Sequence, residues 1–126
     1  MLGIEDDYSR FELAMEAAGL AWWEMELPSG VIFFHDNKAK MLGYKASDFT
    51  HYTHFTNLLH KDDHEKAMSA VQAHLEGRAD IYETQYRIKC KNGQYKKFYD
   101  RGKIVLKEGD TIRLAGFVID ITDAKI

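Results

Sequence analysis

Apolar residues at Ile4, Tyr8, Phe11, Met15 and Ala18 recur at alternating spacings of four and three, which sets them on one stripe of a helix. Gly19 stands where a C-terminal cap belongs, so the chain opens on an amphipathic helix of about four turns. The pattern then changes. Leu20 to Leu27, with Trp22 and Trp23, reads as a strand; Pro28-Ser29-Gly30 turns it, and Val31 to His35 pairs back. Asp36 occupies an N-cap position for a short helix from Asn37 to Leu42, which Gly43 stops. About fifteen polar and aromatic residues follow as short helical turns. The longest later helix is expected from Asp62, with Glu65 three residues on as an acidic capping box, and it carries Met68, Val71 and Leu75 on one face until Gly77.

The final forty residues carry the strongest signal. Tyr82 to Lys89 and Tyr95 to Gly102 are rich in residues that fit a half-buried pleated surface, and Asn92-Gly93 between them supplies the positive φ angles of a tight hairpin. Glu108-Gly109-Asp110 makes a second turn, and a third strand runs through Gly116-Phe117-Val118-Ile119 to Asp120-Ile121-Thr122. The order is therefore helix, two strands, several helices, three strands. Two hairpin groups around a helical insertion predict an α+β fold: a five-stranded antiparallel sheet with helices packed on one face.

Composition narrows the class. A chain of 126 residues holds one core, and 45% hydrophobic with 13% aromatic residues describe a folded globular protein. A net charge of −3 gives no basic footprint for nucleic acid. The longest apolar stretches fall far short of the ~20 residues a bilayer requires. The N-terminal segment is acidic where a secretory signal is basic, and the single Cys90 can form no internal disulfide, so a reducing, cytoplasmic setting is expected.

Several strings acquire meaning by their order: Gly19 to Gly30, Leu42-Gly43-Tyr44, His60-Lys61-Asp62-Asp63, Glu83 to Ile88 before Lys91-Asn92-Gly93, Asp100-Arg101-Gly102 and Asp120-Ile121-Thr122. Together they resemble the successive signatures of a PAS domain over about residues 10 to 123, in the subtype common in bacterial and archaeal sensor histidine kinases. Lys61 and Lys97 depart from it, where the family usually has proline and an aromatic residue. The resemblance implies a sheet order of 2-1-5-4-3 and a division into an N-terminal helix (1–18), a sensory domain (19–123) and the start of a linker (124–126). It also implies a non-catalytic module that regulates an effector in the same polypeptide, such as a histidine kinase. A small-molecule pocket is expected between helices and sheet, surrounded by Phe55, Leu59, Met68, Val71, Tyr86, Phe98 and Val118. The output is expected at Asp120 and Thr122, where the chain leaves the last strand. The stripe of Ile4, Tyr8, Phe11, Met15 and Ala18 is expected to bury either against a second copy, giving a homodimer, or against the outer face of the domain's own sheet.

Other chemistry was weighed against this reading. His51, His54, His60 and His64, with Asp62 and Asp63, are the ligand types of zinc or non-haem iron, yet their spacing matches no defined metal pattern. Some PAS domains hold haem through a histidine on the long helix, and His64 is the one that falls near the Met68-Val71-Leu75 stripe. The cysteine string of a flavin photoadduct is absent, and Cys90 reads as a packing thiol beside a turn. No phosphate-cradling loop, nucleophile elbow or Cys-x-x-Cys pair is present. The alternatives are therefore a haem- or flavin-holding redox or gas sensor and a ligand-free dimerisation module; the sequence itself requires no cofactor.

Overall fold

The computed structural model describes residues 6–123; Ile4 and the expected linker at 124–126 lie outside them. Helix α1 (Asp7–Ala18) is capped at its start by Asp6, which accepts a bond from the Ser9 amide at 2.7 Å, and at its end by Gly19 in the left-handed region, φ 65°. Of the expected stripe, Tyr8 is 71% and Phe11 69% exposed, Ala18 is exposed and Met15 half-buried. The neighbouring face holds the helix instead, with Glu12 3.3 Å from His35 and Glu16 3.9 Å from Lys40. The reading that lays this stripe on the domain's own sheet is therefore corrected: the two acidic side chains are drawn to the edge of the fold, and that rotates the aromatic stripe outward.

Strands β1 (Leu20–Leu27), β2 (Ile32–Phe34), β3 (Tyr82–Lys89), β4 (Tyr95–Glu108) and β5 (Thr111–Asp120) form one antiparallel sheet in the order β2-β1-β5-β4-β3. Strand β2 is shorter than the expected Val31 to His35, because Val31 pairs with His51 across the sheet edge. Helix α2 (Asn37–Lys40) is also shorter than expected: Leu42 and Gly43 bond three residues back, to Ala39 and Lys40, which tightens the last turn. Asp36 makes no side-chain capping bond; Asn37 anchors this helix by donating to the Leu20 carbonyl at 3.1 Å. A short 3₁₀ turn (Ala46–Asp48) and α3 (Tyr52–Thr56) precede the long helix α4 (Lys61–Leu75).

Helix α4 is fastened to the sheet at both ends. His60, not Asp62, is its N-cap, its Nδ1 accepting from the Asp62 amide at 3.1 Å. Asp63 receives three bonds from Arg87 of β3, from the backbone amide, Nε and Nη2, at 2.8, 2.8 and 2.9 Å. Those bonds hold the Asp63 carboxyl well below the usual carboxylate range, and a bidentate charged pair of this kind fixes orientation as well as distance. At the far end the buried His74 accepts the Ile104 amide of β4 on Nε2 at 2.9 Å and bonds the Ala79 carbonyl through Nδ1.

In the sheet, Trp23, Gly116 and Gly102 stand side by side on β1, β5 and β4. Gly102 leaves room for the Trp23 ring, since a Cβ there would stand 2.7 Å from it, and Gly116 leaves room for neighbouring backbone, since a Cβ there would stand 2.0 Å from the Arg101 carbonyl oxygen. No side chain fits there. Gly116→Ala is expected to cost roughly 3 kcal/mol, because the clash is with backbone that cannot yield. Urea denaturation would show it as a lowered midpoint at unchanged slope; Gly109→Ala, which meets nothing within 4 Å but has φ 59°, should cost about 1 kcal/mol.

Candidate functional site

Between α3, α4 and the inner face of the sheet lies a cavity of about 360 Å³, partly open to solvent. Its walls are apolar: Met25 and Leu27 from β1, Ile32 and Phe34 from β2, Phe55 and Leu59 from the α3 segment, Ala67, Met68, Val71 and Leu75 from α4, and Leu114 from β5. Aromatic packing secures one side. Phe49 stacks on Phe55 with centroids 4.0 Å apart, and Phe34 meets Phe55 edge-on at 5.2 Å.

At the inner end the walls turn polar. Asp100 of β4 is buried and receives three hydrogen bonds: from Trp23 Nε1 to Oδ1 at 2.7 Å, and from the hydroxyls of Tyr82 and Tyr86 to Oδ2 at 3.0 and 2.8 Å. Burial pushes the Asp100 carboxyl above its ordinary range, while Lys38 and the three donors hold it back. Burial and the neighbouring carboxylate push both tyrosine hydroxyls well above theirs, so they remain donors. Lys38 of α2 lines the same end, 9% exposed, its ammonium 3.9 Å from the centre of the Phe55 ring and 5.9 Å from that of Trp23. Burial lowers its pKa to about 8, opposed by the field of Asp100.

Of the residues expected around the pocket, Phe55, Leu59, Met68, Val71 and Tyr86 line it. Phe98 and Val118 do not, and are corrected: both face inward but are wholly covered, Phe98 beneath the Tyr86 ring and Val118 between Ala21 and Asp100 on the adjoining strands. Trp23, Lys38, Tyr82 and Asp100 were missed. Asp100 carried a signal, since alternation with Phe98 puts its carboxylate on the inward face of a strand, a position that requires partners.

His64 is exposed and absent from the cavity wall, so the haem reading loses its ligand there: the first turn of α4 directs it to solvent. The other histidines of the cluster serve backbone. His51 caps α3 by accepting from the Thr53 amide at 3.2 Å, His54 accepts from the Thr50 amide at 3.1 Å, and His60 caps α4. Among the described residues no group of three or more metal-ligating side chains converges. Cys90 is buried and free.

The chain leaves the sheet through a compact set of bonds. Asp120 Oδ1 accepts the Thr122 amide at 2.9 Å and the Thr122 hydroxyl, whose oxygen accepts the Lys97 amide of β4 at 3.0 Å. Lys96 stands 3.3 Å from Asp120 Oδ2. Burial pushes the Asp120 carboxyl up, but the Thr122 bonds and Lys96 bring it below the ordinary value. The Asp120 amide donates to the carbonyl of Gly19 at 2.7 Å, so the exit of the last strand touches the residue that ends α1.

Comparison with known proteins agrees with this architecture. The chain is similar to a sensory box histidine kinase/response regulator from Burkholderia thailandensis, at 28% identity over 90% of this chain and 86% of that one, TM-score 0.72. It also resembles a domain of a putative light and redox sensing histidine kinase from Haloarcula marismortui, at 20% identity over 90% of this chain and 99% of that one, TM-score 0.72. The N-terminal domain of a diguanylate cyclase with PAS/PAC sensor from Marinobacter aquaeolei is similar at 19% identity, over 82% of this chain and 95% of that one, TM-score 0.72. No curated protein matches the chain. No helix among the described residues is long and apolar enough to cross a membrane. The family model described as PAS fold matches residues 31–118, and with the sheet order, the inner cavity and the bracketed exit of the last strand this chain belongs to the PAS fold family.

Proposed function

We propose that the chain is a non-catalytic sensory module whose cavity takes up a small molecule and whose last strand passes the consequence to an effector in the same polypeptide, such as a histidine kinase. The observation that carries this reading is the partly open cavity, walled by α4 and the sheet, in a fold otherwise tightly bonded. The helix that covers the cavity is pinned to β3 by Asp63 and to β4 by His74. Strand β4 in turn bonds the exit through Lys97 and Thr122. A molecule that shifts α4 therefore loads the strand against which the exit is fixed. The similarity to domains of a histidine kinase/response regulator and a diguanylate cyclase supports an effector on the same chain. Association is part of the proposal: Tyr8 and Phe11 form an exposed aromatic stripe on α1 that burial against a second copy would cover, giving a homodimer.

Replacing both Asp120 and Thr122 by alanine is expected to leave the domain folded while uncoupling it from its effector. Each exposed hydrogen bond contributes about 1 kcal/mol against a stability of ~5–15 kcal/mol, whereas coupling between states amounts to only about 1–3 kcal/mol. The check is effector output with and without stimulus, compared at equal melting temperature. Equal regulation in wild type and double variant would show that the signal leaves by another route.

Phe11→Asp should leave the monomer's stability nearly unchanged, since the side chain is exposed, and weaken self-association about tenfold or more. Light scattering over a hundredfold dilution tests this, with a concentration-dependent dimer expected for the wild type. A wild type that stays monomeric throughout excludes the α1 stripe as a dimer seam.

A further inference from the structure

The polar end of the cavity contains an ammonium that, among the described residues, has no hydrogen-bond or ion-pair partner. Asp100 is fully engaged, with Trp23 on one oxygen and two tyrosines on the other. Lys38 is nine-tenths buried and lines the cavity, yet among the described residues no acceptor or carboxylate reaches its ammonium at bonding distance; it rests only on the faces of Phe55 and Trp23. Buried charges are ordinarily paired, and an ammonium offers three donors that aromatic faces compensate only in part.

We infer that Lys38 anchors an anionic ligand, a small molecule with an apolar or aromatic body and a single carboxylate, bound with the carboxylate on the ammonium and the body against Met25, Leu27, Phe34, Met68 and Val71. This deepens the proposed function and rests on its reading of the cavity as a ligand site. The charge count selects the class. A ligand amine would meet the ammonium as a like charge, beside an Asp100 that already accepts three bonds. A dianion such as a phosphate monoester would place its second charge near Asp100, and the cavity wall supplies no second cation. A monocarboxylate completes the pair with one charge-assisted bond, while the apolar walls take up the rest of the molecule.

The lining also dictates the pH dependence. The titratable groups that share the cavity with Lys38 are Asp100 on β4, Tyr82 and Tyr86 on β3, Tyr52 on α3 and Glu24 on β1. Both buried tyrosine hydroxyls are pushed upward, whereas burial lowers the pKa of Lys38 to about 8, so Lys38 loses its charge before either of them. Only its protonated form holds a carboxylate. Affinity is therefore flat below that pH and falls above it by about tenfold per pH unit.

The test is isothermal titration calorimetry of the 126-residue chain with 4-phenylbutyrate and octanoate, each paired with its neutral amide. The acids are expected to bind at least tenfold more tightly than the amides at pH 6.5, and to lose more than tenfold at pH 9.5 while the amides do not. In Lys38→Met and Lys38→Gln the acids should fall to the affinity of the amides. Should either variant fail to fold, the acid–amide difference and the pH profile of the wild type decide alone. Equal binding of acid and amide, or an acid preference that survives both substitutions, overturns the role of Lys38 while leaving the cavity as a ligand site. Binding by none of the four compounds overturns both.

Discussion

A carboxylate inside an apolar core is the constraint from which much of this structure follows. Asp100 lies on the inner face of β4, where neighbouring inward positions are Phe98 and Gly102. An unpaired anion there would cost several kcal/mol, so the strands around it are arranged to supply donors. Trp23 reaches it from β1, two strands away, across Gly102, where a Cβ would stand 2.7 Å from its ring. Tyr82 and Tyr86 reach it from β3, two periods of the two-residue repeat apart. One side chain thereby bonds groups from β1 and β3 to β4, and the ring it holds accounts for a glycine at position 102 in the middle of a sheet.

The same site shows why the fold retains a cavity. The aromatic donors are directed toward Asp100 at the inner end of the cavity, and α4 contributes Ala67, Met68, Val71, Gln72 and Leu75 to its wall. Among them Met68 is unbranched and flexible, a side chain that tolerates repacking. Bonds at its ends and loose apolar packing along its middle permit movement without unfolding.

The strands and turn positions were legible because they rest on local rules, alternation in Tyr82 to Lys89 and the cap at Gly19, whereas the sheet order came from the resemblance to PAS domains; of the pair Asn92-Gly93 only Gly93 takes a positive φ. The sites less visible were those in which distant residues meet. Asp62 looked like the cap of α4, but His60 performs that task and Asp63 is taken by Arg87, 24 residues away. Four histidines within a short span suggested metal chemistry, and geometry assigns three of them to backbone amides. Phe98 and Val118 were placed correctly on the inner face yet sealed within it, because alternation gives a direction and says nothing of depth. Lys38 gave no sign at all in sequence: a lysine on a four-residue helix is ordinarily solvated, and only tertiary packing buries this one.

Under the proposed function the route from cavity to effector would be short, for a physical reason. Gly19, which ends α1, accepts the amide of Asp120, and Thr122 accepts the amide of Lys97, so the N-terminal helix, the first residues of β4 and the exit of β5 share one corner. A displacement of β4 at that corner cannot be absorbed by one bond alone, since Asp120 links to Thr122, Lys96 and Gly19 together. Bonded groups with two alternative arrangements convert a small strain into a discrete choice, and a difference of about 1–3 kcal/mol between them suffices to bias an attached domain. An association through α1 would act on the same choice from the opposite side, because the residue that terminates the helix is also the one that holds the exit. Ligand and partner would then be coupled through Gly19 and Asp120 without any direct contact between their sites.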